Sequence, residues 1–109
     1  MMIFPWIVVA ETEWFVRTAP KVLSAAEIEQ LTAYLAMNPF AGVPIPGTGG
    51  IRKLRWRAKG KGKRSGARVV YYFRNERMPL YLLTVFSKDD KVDLSEAEKR
   101  AFKRFAAAL

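Results

Sequence analysis

A chain of 109 residues, half of them hydrophobic, is long enough to form one domain over residues 1–109 with a core of its own. It has no cysteine and no histidine. That excludes disulfides, the usual zinc and copper ligand sets, and Cys-His or Ser-His-Asp nucleophiles, so any chemistry runs on Lys, Arg, Tyr, Ser, Asp or Glu, with neither metal nor cofactor implied. A net charge of +9 points to an anionic partner: nucleic acid, anionic lipid or an acidic protein.

The opening MMIFPWIVVA lacks a basic flank, is interrupted by Pro5 and runs into Glu11 and Glu13. It reads as neither a signal peptide nor a membrane span, which makes the cytoplasm the default location. Ile3 to Ala10 has the β-branched and aromatic content of a first strand and, being apolar on both faces, is expected inside the sheet or under helices. Between Thr12 and Leu23, Trp14, Phe15 and Val16 are followed by Pro20, which predicts a short helix ending or kinking before the proline. Ser24 with Glu27 forms a capping-box pattern, and Ile28, Leu31 and Leu35 share one face of the helix that follows, with Tyr34 beside them. That helix should stop near Asn38, because Pro39 cannot continue it.

From Pro39 to Gly50 the chain holds three prolines and four glycines, and reads as a turn-rich connection rather than a strand or helix. Three strands follow. In IRKLRWR, Leu54 and Trp56 point to the core, leaving Lys53, Arg55 and Arg57 on the opposite, open face. RVVYYF and PLYLLTVF are the next two, and short loops between the three predict an antiparallel meander. Ser95 and Glu98 repeat the capping box before a last amphipathic helix with Phe102, Phe105 and Leu109 on one face. The order strand-helix-helix-strand-strand-strand-helix predicts an α+β fold: an antiparallel sheet of about four strands flanked by helices.

The positive charge is not spread evenly. Ile51 to Arg77 holds eleven Lys and Arg against the single acid Glu76, while the remainder holds eight cations and nine acids. A concentrated basic hairpin is an electrostatic footprint for a polyanion, the plain alternative being a solvated hairpin kept basic for solubility. Gly47, Gly49 and Gly50 do not build a phosphate loop, since no Gly-Lys-Ser/Thr follows at the required spacing; they suit a turn, and Gly60, Gly62 and Gly66 suit a flexible hairpin tip. Lys and Arg interleaved with Trp56, Tyr71, Tyr72 and Tyr81 fit single-stranded RNA, with cations on phosphates and a ring to stack a base. Trp56 and Tyr71 are better explained as core residues; Tyr72, on the same strand face as Arg68, is the stacking candidate. Such a cluster can also cleave RNA by attack of a 2′-hydroxyl on its own phosphate, because lysines crowded by other cations lose protons more readily and neighbouring guanidiniums hold the developing charge.

The segments IPGTGGIRKLRW, GKGKRSGARVVYYF and LYLLTVFSKDDKVDLSEAEKR resemble the RelE/HigB superfamily of type II toxin-antitoxin toxins, closest to its HigB-like branch. The resemblance implies a small α+β domain that enters the ribosomal A site and cleaves mRNA, a ribosome-dependent endoribonuclease that inhibits translation. It also implies partners: the ribosome and mRNA, and a cognate antitoxin, expected to be a helix-turn-helix protein encoded beside it. Matched by position, Lys59 or Lys61 becomes the general base, Arg68 the phosphate stabiliser and Lys88 a charge stabiliser or proton donor. Lys53, Arg55, Lys63, Arg64 and Tyr72 become RNA-binding residues. Many relatives place a tyrosine or histidine near the end of the site; this chain has none after Tyr81, which leaves the cations with most of the work. Two further readings share the features: a non-catalytic toxin such as a ParE-like gyrase inhibitor, and a plain RNA-binding module.

Overall fold

Thr12 shows how the first helix is fastened. Its hydroxyl accepts the Phe15 N–H at 3.4 Å as N-cap and donates to the Leu82 carbonyl at 2.8 Å, tying the helix start to the sheet. The computed structural model describes residues 7–58 and 66–109. Helix α1 (Glu13–Val22) buries Phe15, Ala19 and Val22. It runs through Pro20, contrary to the break expected there. Pro20 is exposed and near the helix end, where the Val16 carbonyl it leaves without a donor can be hydrated, so the cost of the missing N–H is small. Helix α2 (Ala25–Met37) has the full Ser24–Glu27 capping box and the Asn38 stop, and buries Leu31 and Leu35.

Five strands form the sheet: β1 (Val9–Glu11), β2 (Val43–Pro44), β3 (Ile51–Trp56), β4 (Ala67–Tyr72) and β5 (Leu80–Ser87), in the order β1-β5-β4-β3-β2. β3, β4 and β5 make the expected antiparallel meander, while β1 pairs parallel to β5. The sheet exceeds the expected four strands because the turn-rich connection contains β2, paired with Lys53 and Arg52 of β3. Pro44 is tolerated there because β2 lies at an edge and its missing N–H costs no ladder bond. The following turn uses left-handed Gly47 and Gly49 (φ 75°), and the buried Thr48 hydroxyl closes it by donating to the Ile45 carbonyl and accepting the Ile51 N–H.

β1 corrects a second expectation. It lies at the sheet edge rather than inside the sheet, and Val8 is 66% exposed, while Ile7 and Val9 pack against the core under the helices as expected; residues 3–6 lie outside the described residues. Beyond β1 the edge of β5 is covered by α1, where the Thr18 hydroxyl accepts the Val85 N–H at 3.1 Å, so the edge is not left open to another chain.

Two cores result. On one face Leu54, Trp56, Val69, Tyr71, Leu82 and Val85 pack under α1 and α2. On the other Ile51, Val70, Tyr72, Leu83 and Phe86 pack under α3 (Glu96–Ala107), whose Phe102 and Ala106 are buried. A bulge in β5 at Leu83 separates Thr84, opposite Val70, from Leu82, opposite Tyr71. Trp14 contacts Phe102 and Phe105 edge-on at 5.1 and 5.7 Å, locking α1 to α3 around the β5 edge. Leu109, expected on the buried face of α3, lies beyond its end and is 40% exposed. No helix among the described residues is long and apolar enough to cross a membrane.

Candidate active site

The alternation of β3 decides which face carries charge. With Leu54 and Trp56 turned under α2, Lys53 and Arg55 stand on the α3 side of the sheet, as expected. Register then builds a row across three strands: Arg55 opposite Arg68, and Arg68 opposite Phe86. The next rows, Lys53–Val70–Thr84 and Ile51–Tyr72–Tyr81, run toward the part of this face that α3 covers.

Arg68 is the only arginine among the buried residues described, 5% exposed at the start of β4, and its Nη1 donates to its neighbour's carbonyl, Ala67 O, at 3.4 Å. Burial, and secondarily the positive field of Arg55, lower its pKa from the ordinary arginine value. A guanidinium remains protonated throughout the physiological range, so Arg68 can hold negative charge and donate hydrogen bonds but cannot take a proton. Lys88, exposed just after β5, comes to the same end of the sheet, its N–H donating to the Gly66 carbonyl at 3.2 Å. Ala58 and Gly66, which flank the glycine-lysine segment, also stand at this end, beside the Trp56–Ala67 pair.

Of the residues singled out in the sequence, the fold thus brings Arg55 and Arg68 together on one face and the Lys88 backbone to the same end of the sheet, with Lys53 a row away and ion-paired to Asp93 at 3.3 Å. Lys59, Lys61, Lys63 and Arg64 lie outside the described residues. Tyr72 is placed in the core: it is 5% exposed beneath α3, and its hydroxyl accepts from Arg74 Nε at 3.1 Å, which leaves little of its ring for a base. Tyr71 is wholly buried, its hydroxyl donating to the Pro39 carbonyl at 2.7 Å and accepting the Gly42 N–H at 2.8 Å. Trp56 packs against Tyr34 on the far face.

Two residues near the site were not singled out beforehand. Lys91 lies over the Phe86 ring at 5.2 Å and pairs with Glu98 at 2.6 Å, and Asp93 holds Lys53. In SKDDKVDLSEAE the signs alternate as in any solvated turn, so nothing in the spacing distinguishes these two from their neighbours. Among the described residues no group of carboxylates gathers in a way that could hold a metal ion.

Over residues 8–109 the chain matches the RelE toxin of the RelE/RelB toxin-antitoxin system. It belongs to the RelE toxin family. The five-stranded α+β sheet with its basic end is consistent with that membership, and the match does not distinguish the HigB-like branch from the rest of the superfamily. As a RelE-family protein it is the toxin of a type II toxin-antitoxin pair, with an antitoxin as partner, in a family whose toxins generally cleave mRNA.

Proposed function

We propose that this RelE-family toxin is a metal-independent endoribonuclease that cuts mRNA in the ribosomal A site, and that the cut phosphate sits against Arg68. The observation that carries the reading is the Arg55–Arg68 pair, at the end of the sheet to which the Lys88 backbone and the two flanks of the glycine-lysine segment also come. A guanidinium held nearly immobile by burial is a preorganised donor for the charge that builds on a phosphate during displacement, which costs no reorganisation at the moment of reaction.

In this mechanism the 2′-oxygen bonds to phosphorus as the phosphorus–O5′ bond breaks, leaving a 2′,3′-cyclic phosphate and a free 5′-hydroxyl. Lys59 or Lys61 takes the 2′-hydroxyl proton. Arg68, with Arg55 beside it, holds the charge of the pentacovalent phosphorus, and Lys88 stabilises the same charge or gives a proton to O5′. Lys63 and Arg64 grip the flanking strand. Without histidine, general acid-base help is modest and much of the acceleration comes from the geometry in which the RNA is held. The ribosome supplies that geometry, which accounts for dependence on it and for action in the cytoplasm. The antitoxin, a helix-turn-helix protein from the neighbouring frame, keeps the toxin silent.

Purified toxin is expected to cut ribosome-bound mRNA quickly and naked RNA slowly, with Arg68→Ala abolishing both cleavage and growth inhibition while remaining folded. Equal rates on the two substrates would refute the role given to the ribosome, and a fully toxic Arg68→Ala would remove Arg68 from the site.

A further inference from the structure

At the far end of the sheet from Arg68, the chain keeps a bulky ring out of the core. Phe40 is 61% exposed, and Met37 and Val43 on either side of it in the chain are more so. Single exposed apolar residues are ordinary, but three large ones in one short connection mark a surface that something covers. The Phe40 ring is nevertheless held in place. The Arg52 guanidinium lies over it at 5.0 Å while Nη1 of the same group donates to the Gly42 carbonyl at 2.7 Å, and Phe73 meets it edge-on at 5.1 Å. An aromatic side chain fixed before its partner arrives loses little freedom on binding, which is the property of an anchor.

Beside this ring lies a cleft of about 390 Å³, lined by the apolar Ile7, Pro39, Phe40 and Phe73 and by the cations Arg74 and Arg77. Both arginines are exposed, and Arg74 is steadied by its Nε donating to the Tyr72 hydroxyl at 3.1 Å. Neither is ion-paired among the described residues. Glu76 is the one acid lining the cleft, so its charge is net positive.

We propose that this cleft is a docking site for the antitoxin, taking one bulky apolar side chain from an acidic segment of it, with Asp or Glu beside that side chain reaching Arg74 and Arg77. Family membership supplies the partner, and the endoribonuclease reading is not needed.

Charge and position select this occupant. A second copy of the chain would bring another +9 to a surface that is already positive. An RNA strand finds little to hold, because the cleft is mostly apolar and one face of the Phe40 ring is already under Arg52. The cleft is also remote from the cut. Phe73 follows Arg68 by five residues along β4 and its continuation, about 17 Å, and it belongs to the core under α1 and α2 while Arg68 shares the other face with Arg55. A strand lying on Arg55 and Arg68 would have to turn round the sheet to reach it. An acidic segment with an apolar anchor answers both halves of the lining, and the opposite charges guide its approach.

The test is titration calorimetry of the purified toxin with its antitoxin at several salt concentrations, joined to growth assays of the same variants with and without the antitoxin. Phe40→Ala is expected to weaken antitoxin binding by about 30-fold or more, the scale of a lost aromatic anchor. Arg77→Glu is expected to weaken it about tenfold at low salt and less at high salt, because the lost attraction is screened. Both variants are expected to arrest growth like the wild type when the antitoxin is absent and to escape it when it is present. Unchanged antitoxin affinity in either folded variant overturns the proposal. If Phe40→Ala does not fold, the exposed Arg77→Glu decides alone. Loss of ribosome association by Arg77→Glu with antitoxin affinity intact also overturns it, by giving the cleft to ribosomal RNA. So does a wild-type dimer in sedimentation that Phe40→Ala dissociates with antitoxin affinity intact, which gives the cleft to a second copy. If the variants escape the antitoxin while the wild type cuts no message, the dock stands and the nuclease reading falls.

Discussion

Arg55 and Arg68 stand directly opposite each other in the β3–β4 ladder, two guanidiniums where an opposite-charge or apolar pair would serve the sheet better. Like charges in this position oppose folding by roughly 0.2–1 kcal/mol, and the burial of Arg68 adds to the cost. Arg68→Met keeps the apolar stem in place and removes the charge. It is expected to remain folded in thermal unfolding, yet to lose mRNA cleavage by about 10²-fold or more, the scale of one lost charge-stabilising donor. A variant that loses stability and keeps its activity would mean that Arg68 serves the fold rather than the phosphate.

Tyr71 does the opposite work. Its hydroxyl joins the Pro39 carbonyl and the Gly42 N–H, holding the connection between α2 and β2 against the centre of β4. Tyr71→Phe leaves both backbone groups short of a partner in a buried place, at a cost of roughly 1–3 kcal/mol, or a fall in Tm of at least about 4 °C. Burial, the largest influence, raises the Tyr71 pKa; the Gly42 contact and Arg52 only partly oppose it. An acid whose folded pKa is raised contributes stability that is present below the unfolded value, near 10, and is lost as pH rises toward the folded one. Alkaline unfolding followed by circular dichroism should therefore be shallower in Tyr71→Phe than in the wild type.

How much of this was legible beforehand varied with the physics. The two Ser–Glu capping boxes and the alternation of Leu54 and Trp56 with Lys53 and Arg55 are local patterns, and they located α2, α3 and the charged face. The parallel pairing of β1 with β5 and the two-residue β2 depend on contacts between segments far apart in the chain, which no local pattern carries. The β5 bulge was hidden because LYLLTVF is apolar on both faces, so periodicity could not register an extra residue. For the site, clustering of charge in the sequence pointed to Arg55 and Arg68, but the burial of Tyr72 and the attachment of Lys53 to Asp93 follow from where α3 docks.

Gly42 is set by the same hydroxyl. A Cβ there would lie 2.8 Å from Tyr71 Cε1, 2.9 Å from its hydroxyl and 3.1 Å from the Lys53 carbonyl, and both the ring and the strand are held by their own packing. Gly42→Ala is expected to cost roughly 1–3 kcal/mol, as overpacking does. Combined with Tyr71→Phe, the loss should be smaller than the sum of the two, since both changes break the Gly42–Tyr71 hydrogen bond. Additive losses in urea unfolding would show that the two residues do not act as one fastening.

Glu98 joins the α3 cap to the loop before it. Its Oε1 accepts the Ser95 N–H at 2.8 Å and pairs with Lys91 at 2.6 Å. Partial burial opposes its ionisation but is outweighed by Lys91 and Ser95, so its pKa is lowered, as is that of Asp93. A carboxylate with a lowered folded pKa contributes stability that is present above its unfolded value, about 4, and is lost as pH falls through the folded one. The toxin should therefore lose stability from about pH 4 downward. Glu98→Gln retains a side chain able to close the capping box and gives up the charge. At neutral pH it should cost under about 1 kcal/mol, since the pair is partly open to solvent. Its thermal stability should then fall less between pH 5 and pH 3 than that of the wild type, and a parallel fall in both proteins would mean that protonation of Glu98 contributes nothing to acid unfolding.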